Sequence, residues 1–347
     1  MKNIPVLMFL VIILFILTVK YPVFTQENFK NNDERAVVSS ETETGQTDRK
    51  PRNFHISIGP LYGIMYGQGL EIVYPTDTAG KLLSELRWDM KPINYSGLQA
   101  GFEQLNSLNK WGLFTEISFL LGIPGDTGTM VDKDWRSVEN GELTNYSRHK
   151  NRTNEFYWID VKAGLLFPLN SRFYINPFLC GSWMMFSFTA RDGEIKYARV
   201  KNSLQPAFYP IDDDPNIDTI TGNVVNYTQN WLIAATGFIV GAHITPRFNM
   251  GFSFQITPLT FCSSVDEHIG SRTFYDLANY GLFIEPALNM SLNIKWIELN
   301  FNLGYRYINP ARGKSYIEQS GNYSSSANDA GAGLSLFNAC IIVKACF

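Results

Sequence analysis

Cysteine is scarce in this chain, and so is charge of either sign in excess. Four cysteines in 347 residues are too few to staple a disulfide scaffold, and their spacing matches no zinc site. Lysine and arginine number 29 against 32 acids, so no bulk field draws the chain toward nucleic acid. Beyond Lys20 no apolar run is long enough to cross a membrane as a helix. A disulfide-stapled miniature domain, a zinc module and a helical membrane bundle are thereby set aside. What the chain has instead is alternation, frequent aromatics and recurring glycine.

The start differs from the rest. Met1-Lys2-Asn3 precedes an apolar stretch from Ile4 to Val19, the pattern of a secretory signal peptide, here taken as residues 1–25. No small-x-small signature marks the cut. Residues 26–52 are polar and charged, as in Glu41-Thr42-Glu43-Thr44, and lack the apolar residues that build a core. They read as a disordered leader to a domain spanning 53–347.

Inside that domain the two-residue period is strict. From Trp296 to Tyr307, the side chains Ile297, Leu299, Phe301, Leu303, Tyr305 and Tyr307 share one face, and Glu298, Asn300, Asn302 and Arg306 share the other. A soluble sandwich would pack the apolar face on a second sheet; a membrane barrel turns it to lipid and the polar face to the lumen. Trp111–Phe119 repeats the pattern with Glu116 inward. So does Leu282–Leu292, with Glu285 and Asn289 inward and Pro286 sitting awkwardly. The last segment sets Ala339, Ile341, Val343, Ala345 and Phe347 in an apolar row opposite Asn338 and Lys344. A terminal aromatic is the ending that outer-membrane assembly machinery reads. Cys340 and Cys346 share parity there and face the lumen; packing as small hydrophobes is the default, with a disulfide left open.

The fold class is therefore all-β, a ten-stranded antiparallel transmembrane β-barrel that extends above the outer membrane. Its strands are predicted near 53–74, 81–103, 110–122, 154–168, 172–192, 226–245, 247–262, 272–293, 295–309 and 331–347. Tight turns at 168–172, 245–247 and 293–295 mark the periplasmic end. Connections at 75–80, 123–153, 193–225, 263–271 and 310–330 are expected to be outer loops. An even count lets the sheet close without an edge in lipid.

Two motifs carry chemistry. Met130-Val131-Asp132-Lys133-Asp134-Trp135 holds two carboxylates, and Ser263-Ser264-Val265-Asp266-Glu267-His268 holds an Asp–His pair. In an extended backbone each pair points to one side. Together they are sufficient to activate water without a metal or a nucleophilic serine. Taken singly, an Asp-x-Asp is usually a solvated turn or a weak cation site, and His268 alone is as readily a loop cap. Parity also raises a problem. Projected from Phe252, Phe254 and Ile256, Asp266 and His268 fall on the lipid side, so a bulge or reversal between Cys262 and Asp266 is required. His149 is a weaker candidate for the cleft, and His55 and His243 read as structural.

At these motifs the chain resembles the omptin family of outer-membrane endopeptidases. Gly128–Trp135 resembles the omptin aspartate loop, and Asp266-Glu267-His268 its Asp–His couple. Ser147-Arg148-His149, Asn154-Glu155-Phe156 and Ser187-Phe188-Thr189-Ala190-Arg191 match in order, as do Glu71-Ile72-Val73-Tyr74 and Ser84-Glu85-Leu86-Arg87-Trp88. The resemblance implies an aspartic-type endopeptidase with Asp132, Asp134, Asp266 and His268 catalytic, and with water between His268 and Asp132. It places the site outside the bacterial outer membrane and implies polypeptide substrates, outer-membrane lipid and the assembly machinery as partners, with no nucleic acid, metal or organic cofactor. Glu71 and position 264 would form the pocket for a basic side chain before the scissile bond. Two departures stand out. Position 264, acidic in omptins, is Ser264, which broadens the expected preference. The lipopolysaccharide-binding arginine of the family is Met185 here, which leaves lipid activation open. The competing reading is a catalytically weak barrel of this fold acting as an adhesin or a small pore.

Overall fold

The computed structural model describes residues 54–75, 81–106, 111–136, 141–201, 208–213 and 215–347. The expected signal peptide and leader lie outside the described residues. Among the described residues there is no helix, and so none long and apolar enough to cross a membrane. In chain order the strands are β1 (Phe54–Pro75), β2 (Ser84–Leu105), β3 (Gly112–Gly122), β4 (Gly125–Asp134), β5 (Asn145–Pro168), β6 (Phe173–Tyr197), β7 (Asn216–His243), β8 (Phe248–Thr257), β9 (Thr260–His268), β10 (Arg272–Asn279), β11 (Phe283–Ile294), β12 (Ile297–Gln319) and β13 (Asn322–Cys346).

Every paired neighbour is antiparallel, and β1 meets β13 from Ser57–Cys346 up to Pro75–Asn328, closing the wall. Three ring positions are each filled by two strands set end to end. β3 and β4 both lie between β2 and β5. β8 and β9 both follow β7, and β10 and β11 both precede β12. The wall is thus a ring of about ten strands, as the alternation predicts.

Alternation explains which residues face where. Ile58, Leu98, Leu179, Phe252, Ile341 and Val343 are exposed and form the apolar exterior, while Gln99, Glu285, Arg306 and Lys344 are buried inside. A bilayer offers no hydrogen bonds, so the backbone must be satisfied within the wall, and only the closed ring does this.

The expected outer loops are mostly strand. The 123–153 connection holds β4 and the start of β5; 193–225 holds the end of β6 and the start of β7; 310–330 is a hairpin turning at Ser320 and Gly321, both at positive φ. Polar composition made these segments look like loops. Each one continues a register already set by its membrane-embedded half, so pairing simply runs upward. The turn at 169–172 is as expected, the turn after β7 spans 244–247, and the one between β11 and β12 falls at 295–296.

The lumen is filled rather than open. Arg306 is ion-paired with Glu285 and, at 3.3 Å, with Asp160, and its guanidinium lies 4.1 Å from the Trp158 ring centroid. Trp158 Nε1 and Ser182 Oγ donate to Asp160. Glu116 meets Lys162 at 3.4 Å and Lys344 at 3.9 Å. Higher up, Trp88 stacks between Phe188 at 5.7 Å and Tyr227 at 5.0 Å. Among the described residues, side chains of this size take up much of so narrow a ring.

Arg306 serves two acids, so removing it strands both. Arg306→Met is expected to cost about 3–5 kcal/mol, as for other broken buried pairs. The triple variant Arg306→Met, Glu285→Gln, Asp160→Asn should recover most of that loss. Urea unfolding of the protein in lipid vesicles reads both; a triple variant no more stable than the single one would refute the pairing argument.

Candidate active site

The catalytic candidates stand in strands rather than loops. Asp132 and Asp134 end β4, and Asp266 and His268 end β9. β4 starts after a break at Ile123–Pro124 and is tied to β2 by Asp89, whose Oδ2 accepts from Thr129 N–H at 3.2 Å and Thr129 Oγ1 at 3.0 Å. Gly128 at φ 106 makes this approach; a Cβ there would lie 2.9 Å from the Asp89 Cβ. Beyond it Met130, Asp132 and Asp134 pair with Trp88, Leu86 and Ser84 on β2 and with His149, Ser147 and Asn145 on β5. Ser84 Oγ donates to Asp132 Oδ1 at 3.2 Å, and Asn145 Nδ2 donates to Asp134 Oδ2 at 3.2 Å.

The parity problem on β9 is resolved, but not where the sequence suggests. On β8 the odd residues Ser253, Gln255 and Thr257 are buried; on β9 the even residues Thr260, Cys262, Ser264 and Asp266 are. The switch is at Pro258–Leu259, upstream of Cys262, where both residues are exposed. Pro258 has no N–H to offer a ladder, and Thr257 Oγ1 accepts from Leu259 N–H at 2.9 Å. The neighbouring wall breaks at the same level: Tyr280, at φ 64, donates its N–H to Thr260 O, and Thr260 Oγ1 donates to Gly281 O. Asp266 is thereby turned inward with only 2 % of its surface exposed.

Asp266 Oδ2 lies 2.8 Å from His268 Nε2. With the proton on Nε2, the Nδ1 lone pair is free to act as a base. Phe274 meets the imidazole edge-on at 5.6 Å. In the ring, β5, β6 and β7 separate β4 from β9, so the aspartate pair and the Asp–His pair occupy different walls of one lumen. They feel each other's charge across it.

Glu71, on β1, is 2 % exposed and sits among Asp266, Asp276 and Asp132. Ser264 is buried on β9 and donates to Asp276 Oδ2 at 3.4 Å. Beneath the carboxylates Gln229 donates to Leu70 O and to Tyr227 Oη, and accepts from Trp231 Nε1. All six sequence-nominated residues thus line the upper lumen. His149 is buried in the wall opposite Met130, while His55 and His243 lie at the other end of the barrel, His243 Nδ1 being 2.6 Å from Asn249 Oδ1. Met185 is half-buried on the outer face of β6 between Tyr157 and Asn230.

Sequence reasoning missed Asp276, which stands directly across from Ser264 on β10. Its signal was an acid in an otherwise apolar alternation from Phe274 to Ala278, but only the register reveals its partner. Ser84 and Asn145 were also unforeseen, since polar residues beside a motif carry no mark of which carboxylate they serve.

These groups lie above the apolar belt, and burial dominates their titration. Burial, then the charge of Asp134, pushes Asp132 up to about 8. Asp134 is raised mainly by burial. Glu71 is held well above the carboxylate range by burial and then by Asp266, Asp276 and Asp132. Burial, opposed by the neighbouring Ser315 and Ser264 hydroxyls, sets Asp276 at about 6. Burial alone would depress His268, but its hydrogen bond to Asp266 and the charges of Asp266 and Asp132 hold it above its ordinary value.

The raised carboxyls bind protons more tightly when folded than when unfolded, so their contribution to stability falls as pH rises through the raised values. His268, also raised, contributes stability in acid and loses it as pH rises through its own value. All slopes agree in sign. Thermal stability should therefore decline between about pH 5 and pH 9. Glu71→Gln should raise the melting temperature at about pH 8 and much less at about pH 5. A pH-independent difference between variant and wild type would contradict this.

The Omptin family model matches residues 50–344. Among solved structures, the outer membrane protease OmpT from Escherichia coli superposes with a TM-score of 0.73 at 18% identity, covering 89% of this chain and 100% of that one. The translocator domain of the autotransporter NalP from Neisseria meningitidis follows at TM-score 0.34 and 8% identity, covering 86% and 90%. The toluene transporter TodX from P. putida gives 0.29 and 8%, covering 86% and 91%. No curated protein sequence matches the chain.

Proposed function

The chain belongs to the omptin family, and we propose that it is an outer-membrane endopeptidase that hydrolyses peptide bonds with an activated water. The observation that carries the reading is the 2.8 Å contact of His268 with Asp266, opposite a second carboxylate pair in the same lumen. Residues 1–25 would export the chain, residues 26–52 would precede the barrel, and the apolar row ending at Phe347 would be read by the outer-membrane assembly machinery. The cleft would then face outside and meet polypeptide substrates.

In this mechanism the His268 Nδ1 takes a proton from water as the oxygen attacks the peptide carbonyl. Asp266 orients the ring through Nε2 and stabilises the imidazolium. Asp132 and Asp134 hold the water from the other wall. At neutral pH this pair shares a proton, because burial and then the Asp134 charge push Asp132 up to about 8. That proton is offered to the developing oxyanion. The imidazolium then protonates the leaving amine, the C–N bond breaks, and the proton lent to the oxyanion returns to the aspartate pair as the carbonyl re-forms. No step requires a metal or organic cofactor. Outer-membrane lipid would enter only as an activator, and Met185, on the outer face, offers it no charge. The filled lumen speaks against the pore alternative.

Glu71 supports a preference for a cationic side chain before the scissile bond, since a buried carboxylate gains most from a charged partner.

Refolded protein in lipid, assayed with fluorogenic peptides, tests the reading. Asp132→Asn, Asp266→Asn and His268→Ala should each lower kcat/KM by about a hundredfold or more, the scale of general acid–base catalysis. The folded, heat-modifiable gel band should persist. The rate should fall as His268 is protonated in acid, with its acid limb above the usual histidine range. Loss of activity to a chelator, restored by zinc, would overturn the mechanism, as would full activity in His268→Ala.

A further inference from the structure

Position 264 lacks the acid that the family resemblance leads one to expect, yet the space beside it does not lack a carboxylate. Asp276 is the cross-strand partner of Ser264 and is 5 % exposed. Its Oδ2 accepts from Ser264 Oγ, and its Oδ1 is buried with no hydrogen-bond partner. Glu71 Oε2, on the far side of β12 and β13, is buried and unpartnered as well. The charges of the two acids reach each other. Two buried carboxylates with orphan oxygens in one cleft are costly unless a cation completes them. No lysine or arginine among the described residues is within ion-pair distance of either.

We propose that Asp276 is the second acid of the specificity pocket, moved one strand sideways from position 264, and that the pocket it forms with Glu71 selects arginine over lysine. This deepens the endopeptidase reading and rests on it. The shift around the wall is one strand spacing, about 4.8 Å. The short Ser264 side chain keeps the near wall clear, so the cation must reach across to two separated carboxylates. A guanidinium does this with its planar fork, donating to Glu71 through one edge and to Asp276 through another. The ammonium of lysine is a compact point charge on a shorter reach and satisfies one acid at a time. The single-acid, broadened preference inferred from the sequence is replaced by a two-acid, narrowed one.

The test uses the full-length barrel refolded in lipid and peptides differing only at the residue before the cut, as Arg, Lys or Ala. Binding of the same peptides to the His268→Ala variant is measured by tryptophan fluorescence. Asp276→Asn should reduce the Arg-to-Ala ratio of kcat/KM by about tenfold or more, as for loss of one partner of a buried charge pair. It should reduce affinity for the Arg peptide in the His268→Ala background in parallel. Because it removes an unpaired buried charge, Asp276→Asn should fold at least as well as wild type. The swap Ser264→Asp with Asp276→Ser should restore discrimination against Ala but narrow the gap between Arg and Lys. An unchanged Arg-to-Ala ratio in Asp276→Asn, with Glu71→Gln still lowering it, would overturn the proposal. If wild type cleaves nothing, the endopeptidase reading fails. The binding comparison then judges Asp276 alone: equal Arg-peptide affinity with and without Asp276→Asn would refute its role.

Discussion

A bilayer gives the backbone nothing to bond to, and the rest of this molecule follows from that constraint. The wall must close, so β1 pairs with β13 and the ring has no edge. Closure at about ten strands leaves a lumen that side chains fill. Charges placed there for alternation must find partners, and Arg306 with Glu285 and Asp160, or Glu116 with Lys162 and Lys344, are the result. The same ladder continues upward past the apolar belt, which is how segments with loop-like composition become a rigid rim.

That rim is where the ladder is allowed to break. Ile123–Pro124, Pro258–Leu259 and Tyr280–Leu282 interrupt three ring positions, and bonds from Tyr280 and Thr260 stitch two of these interruptions together. Each break re-aims the strand above it at little cost to closure, because the strands on both sides keep their pairing. At β9 the re-aiming converts a lipid-facing Asp266 and His268 into lumen-facing ones.

The rim also holds what a flexible loop would not tolerate. Glu71, Asp132, Asp134, Asp266 and Asp276 converge on one cleft, and most of them are pushed toward the neutral form by burial and mutual repulsion. A soft segment would relieve such crowding by moving apart. Strands fixed below in the membrane cannot, so the wall holds these carboxyls in their crowded, proton-binding state.

Much of this was readable in the residues. The period of two from Trp296 to Tyr307 set Glu298, Asn302 and Arg306 inward before any coordinates, because one face of such a strand must tolerate lipid. The Asp132–Asp134 and Asp266–His268 spacings gave pairs on one side of an extended chain for the same geometric reason. The residues could not say that Pro258–Leu259, and not the stretch after Cys262, reverses the parity. Proline breaks some strands and is carried in others, as Pro286 is within β11, and only the paired neighbours decide. Nor could they reveal Asp276 as the partner of Ser264. Which residues of two strands stand opposite depends on where each strand enters and breaks. That is a property of the closed ring, not of either segment.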